Sequence, residues 1–182
     1  MRSLKVFESI SIDGYFADAN GDMSFAHAVA PDPEFGAWVG QNASSGGELL
    51  LGRVTYEMMA SFWTSPAAAQ QMPAVAKGMN AARKYVATRS LTPTWNNTQR
   101  LEGDAVAAVR ALKAHEGPPL VVLGSGPLVA ALGEAGLVDE YQFVVIPAAL
   151  GGGRTLFTKG TELRLVDQRA FQNGNVVLTY AA

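Results

Sequence analysis

Short apolar runs recur along the chain, and the segments between them are long enough to hold a helix. Runs of this kind, rich in Leu, Val and Ile, are typical of strands buried in the middle of a covered parallel sheet. The predicted strands are Leu4–Ile10, Glu48–Leu51, Lys84–Thr88, Leu120–Leu123 and Tyr141–Ile146, with a weaker strand at Thr98–Leu101.

The segments between these strands carry the spacing and the end signals of helices. Asp32-Pro33-Glu34 predicts a helix start, because aspartate is a good N-cap and proline suits the first helical position. Phe35, Trp38 and Val39 then share one face of this helix, which ends near Ser44. Further helices are predicted at Arg53–Phe62, at 66–82 with an interruption at Pro73, at Asp104–His115 and at Pro127–Ala135.

Two other segments differ from this alternation. Residues 13–31 are dense in turn formers and predict a long excursion over the surface. After Pro147, the segments Glu162–Phe171 and Asn175–Tyr180 flank an Asn-Gly pair, which is a strong hairpin signal. We therefore expect one α/β domain over residues 1–182, with a mostly parallel sheet and an antiparallel hairpin at its C-terminal edge.

Composition narrows the range of partners. The 182 residues are 48% hydrophobic and 16% charged, with a formal net charge of −2 and no long basic stripe, so nucleic acid is not expected as a partner. Cysteine is absent, and His27 and His115 are isolated, so we expect no metal site. No signal-peptide pattern or long apolar stretch occurs, which predicts a cytoplasmic protein with no membrane partner.

Three predicted strand ends carry groups that suit phosphate. Gly52-Arg53-Val54-Thr55 places a glycine, a guanidinium and a hydroxyl at a helix start, and Gly124-Ser125-Gly126-Pro127 forms a second such turn. Thr88-Arg89-Ser90 adds hydroxyls and a base after a third strand. Each turn alone could be an ordinary connection with a solvated arginine. Together they predict a dinucleotide site.

In these motifs the chain resembles the dihydrofolate reductase superfamily, and more closely the branch that contains the reductase domain of bacterial riboflavin biosynthesis. The resemblance extends over nearly the whole chain. It rests on Ser11-Ile12-Asp13-Gly14-Tyr15-Phe16-Ala17, on Gly52-Arg53-Val54-Thr55-Tyr56-Glu57, on Gly124-Ser125-Gly126 with Leu128, and on Pro147 with Leu150-Gly151-Gly152-Gly153 and Leu156-Phe157.

The resemblance implies a three-layer sandwich around a sheet of about eight strands, a homodimer, and NADPH as the cofactor. It also implies an NADPH-dependent reductase of a small heterocyclic substrate, similar to the ribosylaminopyrimidine reduced in riboflavin biosynthesis. The cofactor contacts that it implies are Ala17, Gly52, Arg53, Thr55, Thr88, Arg89, Ser90, Gly124, Ser125, Gly126, Pro127 and Leu128.

The substrate side is less determined by the sequence. The resemblance implies Glu34, Asp13 and Thr155 as candidate catalytic residues, although Glu34 could simply serve the helix start and Asp13 could simply form a turn. Two other functions stay open: a non-catalytic NADP-binding module, which needs no substrate pocket, and a true dihydrofolate reductase. The family usually has Gly-Gly with a cis peptide at its glycine turn, and this chain has Gly124-Ser125 instead, which leaves the peptide conformation open.

Overall fold

The computed structural model describes residues 1–182 and contains one eight-stranded mixed sheet. Its strands are β1 (Leu4–Ser11), β2 (Glu48–Gly52), β3 (Lys84–Ala87), β4 (Thr98–Leu101), β5 (Leu120–Leu123), β6 (Glu140–Ile146), β7 (Arg164–Ala170) and β8 (Val176–Ala181). The strand order is β4-β3-β2-β5-β1-β6-β8-β7. The first six of these are mutually parallel, and the C-terminal hairpin adds β8 and β7 with antiparallel pairing.

Six α-helices connect or flank the strands, and each predicted element lies within two residues of its expected bounds. The helices are α1 (Pro33–Ala43), α2 (Arg53–Trp63), α3 (Pro66–Gln71), α4 (Pro73–Ala81), α5 (Ala105–Ala114) and α6 (Gly126–Glu134). Local signals explain the agreement. Asp32, Ser65 and Asp104 accept hydrogen bonds from backbone N–H groups at the starts of α1, α3 and α5.

The helices form two layers, one on each face of the sheet. Alternate strand residues such as Val6, Leu50 and Val122 pack with residues of α5 and α6 in the largest apolar cluster. The intervening residues, such as Leu49 and Leu51, pack with α2 and α4 on the other face. The longest helices have 11 residues, and none could span a lipid bilayer.

The edge strand β7 is exposed on all seven of its residues. It carries Arg164, Asp167 and Arg169, and its pairing register with β8 shifts between Leu165 and Asp167. As the edge strand of the sheet, β7 presents unpaired backbone N–H and C=O groups along its outer side.

Candidate functional site

The carboxyl ends of the parallel strands lie at one edge of the sheet, where α2 follows β2 and α6 follows β5. The two helices pack on opposite faces, since Tyr56 of α2 belongs to one apolar cluster and Val129 of α6 to the other. Their N-termini therefore approach each other across the sheet edge. Unpaired amide groups and the positive ends of two helix dipoles make such a place favourable for an anion.

Ser125 connects the two helix starts. Its hydroxyl accepts a hydrogen bond from the Gly52 backbone N–H at 2.7 Å and donates one to Thr55 Oγ1 at 2.8 Å. A Cβ on Gly52 would lie 2.9 Å from Ser125 Oγ, so this close approach requires glycine. Gly124 and Ser125 both adopt left-handed backbone conformations, and the peptide bond between them is trans.

Two donors at this turn have no acceptor within the protein. The first is the backbone N–H group of Ser125, which makes no hydrogen bond. Thr55 accepts its hydrogen bond from Ser125, so the proton of its own hydroxyl is free. The turn thus offers free N–H and O–H donors, and the sequence predicted it from Gly52, Thr55 and Gly124 through Gly126.

Arg53 lies in the first turn of α2, as predicted, but its guanidinium is already engaged. It donates a hydrogen bond to Glu57 Oε2 at 2.8 Å, one helical turn along α2. Both side chains are about half exposed, so the pair is weak and its partner can be exchanged at little cost. Arg53 is therefore available to an anion that approaches the start of α2.

The loop after β3 has a fixed base and an exposed tip. Tyr56, the residue after Thr55, accepts hydrogen bonds at its hydroxyl from the backbone N–H groups of Thr94 and Trp95, at 2.9 and 2.8 Å. The predicted contact residues Arg89 and Ser90 are exposed at the tip, and Thr88 Oγ1 accepts a hydrogen bond from the Leu91 N–H. The first turn of α2 thus contacts both loops: Thr55 bonds to Ser125, and Tyr56 holds the base of the loop after β3.

The excursion after β1 is bound to the loop of residues 150–154 after β6, called the glycine loop here. Buried Ala17 pairs with Arg154 in an isolated antiparallel bridge, with the Arg154 N–H donating to the Ala17 carbonyl at 2.8 Å. A Cβ on Gly153 would lie 2.2 Å from that carbonyl oxygen, which explains the glycine there. Asp13 accepts hydrogen bonds from the Leu150 and Gly151 N–H groups. These contacts fasten the two loops together beside the site.

Phe16 extends from this excursion onto the start of α6. A Cβ on Gly126 would lie 2.5 Å from Phe16 Cζ, so the ring rests directly against the glycine. The α6 side of the turn is therefore covered in this conformation, whereas the start of α2 is exposed at Arg53 and Val54. The remaining predicted contacts on α6 are Pro127, which is exposed, and Leu128, which is buried in the core.

An aromatic cluster lies on the α1 face of the sheet. Phe35 and Trp38 share a face of α1, as predicted, with ring centroids 6.0 Å apart. Phe7 of β1 lies 6.1 Å from Trp38, and Phe171 lies 5.1 Å from Phe35. Phe7 and Phe171 were absent from the sequence prediction, because only the register of distant segments brings them here.

The three candidate catalytic residues are not joined by any hydrogen bond or ion pair. The hydrogen bond from the Ser11 hydroxyl, together with those from the Gly151 and Leu150 N–H groups, holds the pKa of the Asp13 carboxyl below its usual value. Glu34 is exposed and forms an ion pair with Arg169 of β7 at 2.7 Å. Thr155 is exposed, and its hydroxyl donates only a long hydrogen bond, 3.4 Å, to the Phe157 carbonyl. Their catalytic roles stay predictions.

A fourth carboxyl, on Glu8, was missed by the sequence prediction. Glu8 lies in β1 and is 4% exposed, and burial raises the pKa of its carboxyl from 4.5 to about 8. A signal was available: Leu4, Val6 and Glu8 alternate along β1 and so point to the same buried face. A carboxyl in that pattern is unusual enough to mark a site.

Comparison with known proteins identifies the family. The family model for the RibD C-terminal domain matches residues 2–177. The chain belongs to this family. A curated relative, the uncharacterized protein YyaP of Bacillus subtilis (strain 168), is 23% identical over 175 residues, which cover 94% of this chain and 90% of YyaP.

Two solved structures share the fold of this RibD C-terminal domain protein. One, from Shewanella sp. PV-4, is named for riboflavin biosynthesis; it is 21% identical with a TM-score of 0.71, and the match covers 98% of both chains. The other, a pyrimidine reductase-like protein from Corynebacterium diphtheriae, is 11% identical with a TM-score of 0.58, over 99% of this chain and 91% of that chain. The predicted fold class and family resemblance are confirmed.

Proposed function

We propose that this protein is an NADPH-dependent reductase of a small heterocyclic substrate. The observation that carries the proposal is the junction of two helix N-termini at one sheet edge, bridged by Ser125 and supplied with free donors. Membership of a reductase-like family supports the same conclusion. The proposed physiological substrate contains a planar, nitrogen-rich ring, as the ribosylaminopyrimidine of riboflavin biosynthesis does.

The residues present fit such a cofactor. Because Gly52 and Gly124 have no side chains, the space beside Ser125 and Thr55 stays open. The donors in that space would bind the diphosphate. Arg53 would exchange Glu57 for a phosphate, and the exposed Arg89 with Thr88 and Ser90 would hold the adenosine end. When bound, NADPH supplies the hydride.

The aromatic cluster on α1 supports a planar substrate. Phe7, Phe35 and Trp38 are only half-buried, and their rings offer faces against which a heterocycle would stack. Glu34 at the start of α1 would have to leave Arg169 to act on such a ring. Because both charges of this pair are exposed, that exchange would cost little.

The test combines cofactor binding with turnover. NADPH is titrated into the protein by tryptophan fluorescence, and NADPH oxidation is then followed with pterins, aminopyrimidines and quinones. We expect binding, turnover with one ring class, and weaker binding in Arg53→Ala. The matched control is Arg83→Ala, an exposed arginine beside the amino end of β3 that bonds to Gln99. Unchanged NADPH affinity in Arg53→Ala would contradict the cofactor assignment.

The same assays separate the alternative functions. Tight NADPH binding without turnover on any ring class would favour a non-catalytic binding module. Methotrexate binding, together with loss of activity in Glu34→Gln, would instead indicate a true dihydrofolate reductase.

We propose, in addition, that the protein forms a homodimer through its β7 edge. All seven β7 residues are exposed, and Leu165 and Val166 each keep 46% of their surface accessible. Apolar side chains on an open sheet edge favour pairing with a second copy. Sedimentation equilibrium tests this, with Val166→Lys as the variant expected to yield monomers and a monomeric wild type as the contrary result.

A further inference from the structure

The Glu8 carboxyl has one oxygen with no partner in the protein. Glu8 Oε1 accepts a hydrogen bond from the Ser9 N–H at 3.0 Å. Glu8 Oε2 is buried and makes no hydrogen bond at all. Leaving a buried polar atom unpaired is unfavourable, so such an atom in an otherwise well-packed sheet calls for an explanation.

This free oxygen points toward the glycine turn of the candidate site. A Cβ built on Gly124 would lie 3.6 Å from Glu8 Oε2 and 3.3 Å from Thr55 Oγ1. The carboxyl and the threonine hydroxyl therefore border the same small space beneath the turn. The unbonded backbone N–H group of Ser125 belongs to the same turn and would bind the anion. Glu8 thus forms the floor of the site.

We propose that the dinucleotide site accepts its diphosphate only while Glu8 is a neutral carboxylic acid. This inference rests on the proposed function, and it adds a residue and a proton to the binding site. A carboxylate sealed beneath the turn would repel the phosphate charge through a poorly screened interior, whereas the neutral acid does not. Its proton can also donate to an oxygen above it, such as that of Thr55.

The surroundings of Glu8 leave the proton on its carboxyl at neutral pH. Phe143 of β6 lies beside it in the sheet, and no charged side chain forms an ion pair with it. Burial is the main cause that raises its pKa, to about 8. The titratable or charged residues on the elements and loops around Glu8 are Arg53, Tyr56 and Glu57 on α2, Arg110 and Lys113 on α5, Glu140 and Tyr141 on β6, Glu134 on α6, Asp13, Tyr15, Asp18 and Asp22 after β1, and Arg154 in the loop after β6. Lys113 is paired with Asp139, and Arg154 donates a hydrogen bond to the Ala19 carbonyl.

None of these groups provides Glu8 with a compensating positive charge. Arg53 is paired with Glu57 on the exposed side of α2. Tyr141 directs its hydroxyl toward Gly133, at the far end of α6, and Glu134 there accepts a hydrogen bond from Thr158. Ionisation of Glu8 would therefore place an uncompensated charge beneath the turn.

The experiment measures NADPH affinity between pH 7 and pH 9.5 by fluorescence titration. In the wild type we expect the dissociation constant to rise by up to about 30-fold, since ionised Glu8 excludes the ligand. Glu8→Gln and Glu8→Leu cannot ionise, so their affinity should change by less than about threefold over the same range. Glu134→Gln is the matched control, and its profile should follow the wild type.

A calorimetric measurement needs no variant. NADPH binding to the wild type at pH 8.5–9, in two buffers of different ionisation enthalpy, should show net uptake of a proton. Absence of uptake, or a Glu8→Gln profile as steep as that of the wild type, would overturn the inference and leave the cofactor assignment standing. Failure of the wild type to bind NADPH at any pH would instead overturn the proposed function.

Discussion

Replacing Glu8 with glutamine should make the folded chain more stable at neutral pH, in a strongly pH-dependent way. Burial raises the pKa of the Glu8 carboxyl from 4.5 to about 8 in the folded state. At pH values between these two pKa values, the Glu8 carboxyl is ionised in the unfolded chain and protonated in the folded chain. The stability contributed by this group is therefore fully present below pH 4.5 and is lost as the pH rises toward 8.

The size of the effect follows from the same two pKa values. The free energy of unfolding should fall by about 1.4 kcal/mol for each pH unit in the window between them. By pH 7 the loss amounts to about 3 kcal/mol, and by pH 8 it reaches about 4 kcal/mol. Glutamine has nearly the same shape and does not titrate. The stability difference between Glu8→Gln and the wild type should grow by these amounts.

Urea denaturation followed by circular dichroism at pH 5, 6, 7 and 7.5 measures this difference. The range avoids two other titrations, because the pKa of the Asp13 carboxyl is lowered from 3.8 and burial lowers the pKa of Lys84 only to about 8. Any constant effect of the amide itself cancels in the slope. A stability difference that stays the same across these four pH values would refute the reasoning.

Three further changes test other contacts. Arg53→Ala should weaken NADPH binding about tenfold in a fluorescence titration, whereas Glu57→Gln, which releases the guanidinium, should strengthen it by no more than about twofold. Equal weakening in both variants would show that the ion pair only supports the helix. Lys84→Met should lower the free energy of unfolding by about 3 kcal/mol in urea, because the buried ammonium bonds three carbonyls at the end of α4; a loss below about 0.5 kcal/mol would contradict this. Gly153→Ala should lower the melting temperature and speed amide exchange in the excursion after β1, because its Cβ would lie 2.2 Å from the Ala17 carbonyl oxygen. Gly160→Ala, which has open space around it, is the control, and equal behaviour of the two variants would disprove the contact.

Most of the fold could be predicted because its signals are local. Apolar runs define the central strands, and Asp32, Ser65 and Asp104 begin helices through side chains that bond to their own first turns. The Asn-Gly pair between the last two strands sets the antiparallel hairpin in the same way. In each of these cases the residues that determine the structure are neighbours in sequence.

The residues of the turn between β5 and α6 could be identified from the sequence, but their connections could not. The sequence indicated Gly52, Thr55 and Ser125 as separate contacts, whereas the structure joins them in one hydrogen-bonded unit across 70 and 73 residues. Glu34 was predicted near a substrate, but its observed partner, Arg169, lies 135 residues away. No local pattern encodes contacts of this range, since they depend on the order of strands in the sheet.

The hydroxyl of Tyr56 separates a fixed part of the loop after β3 from a part that can be varied by protein engineering. It holds the base of the loop after β3 from within the core, while Arg89 and Ser90 at the tip are exposed. Substitutions at the tip would therefore leave the packing of the loop unchanged. If the proposed NADPH site is correct, a library that varied only these exposed positions could select for a different dinucleotide while Tyr56 preserved the base of the loop.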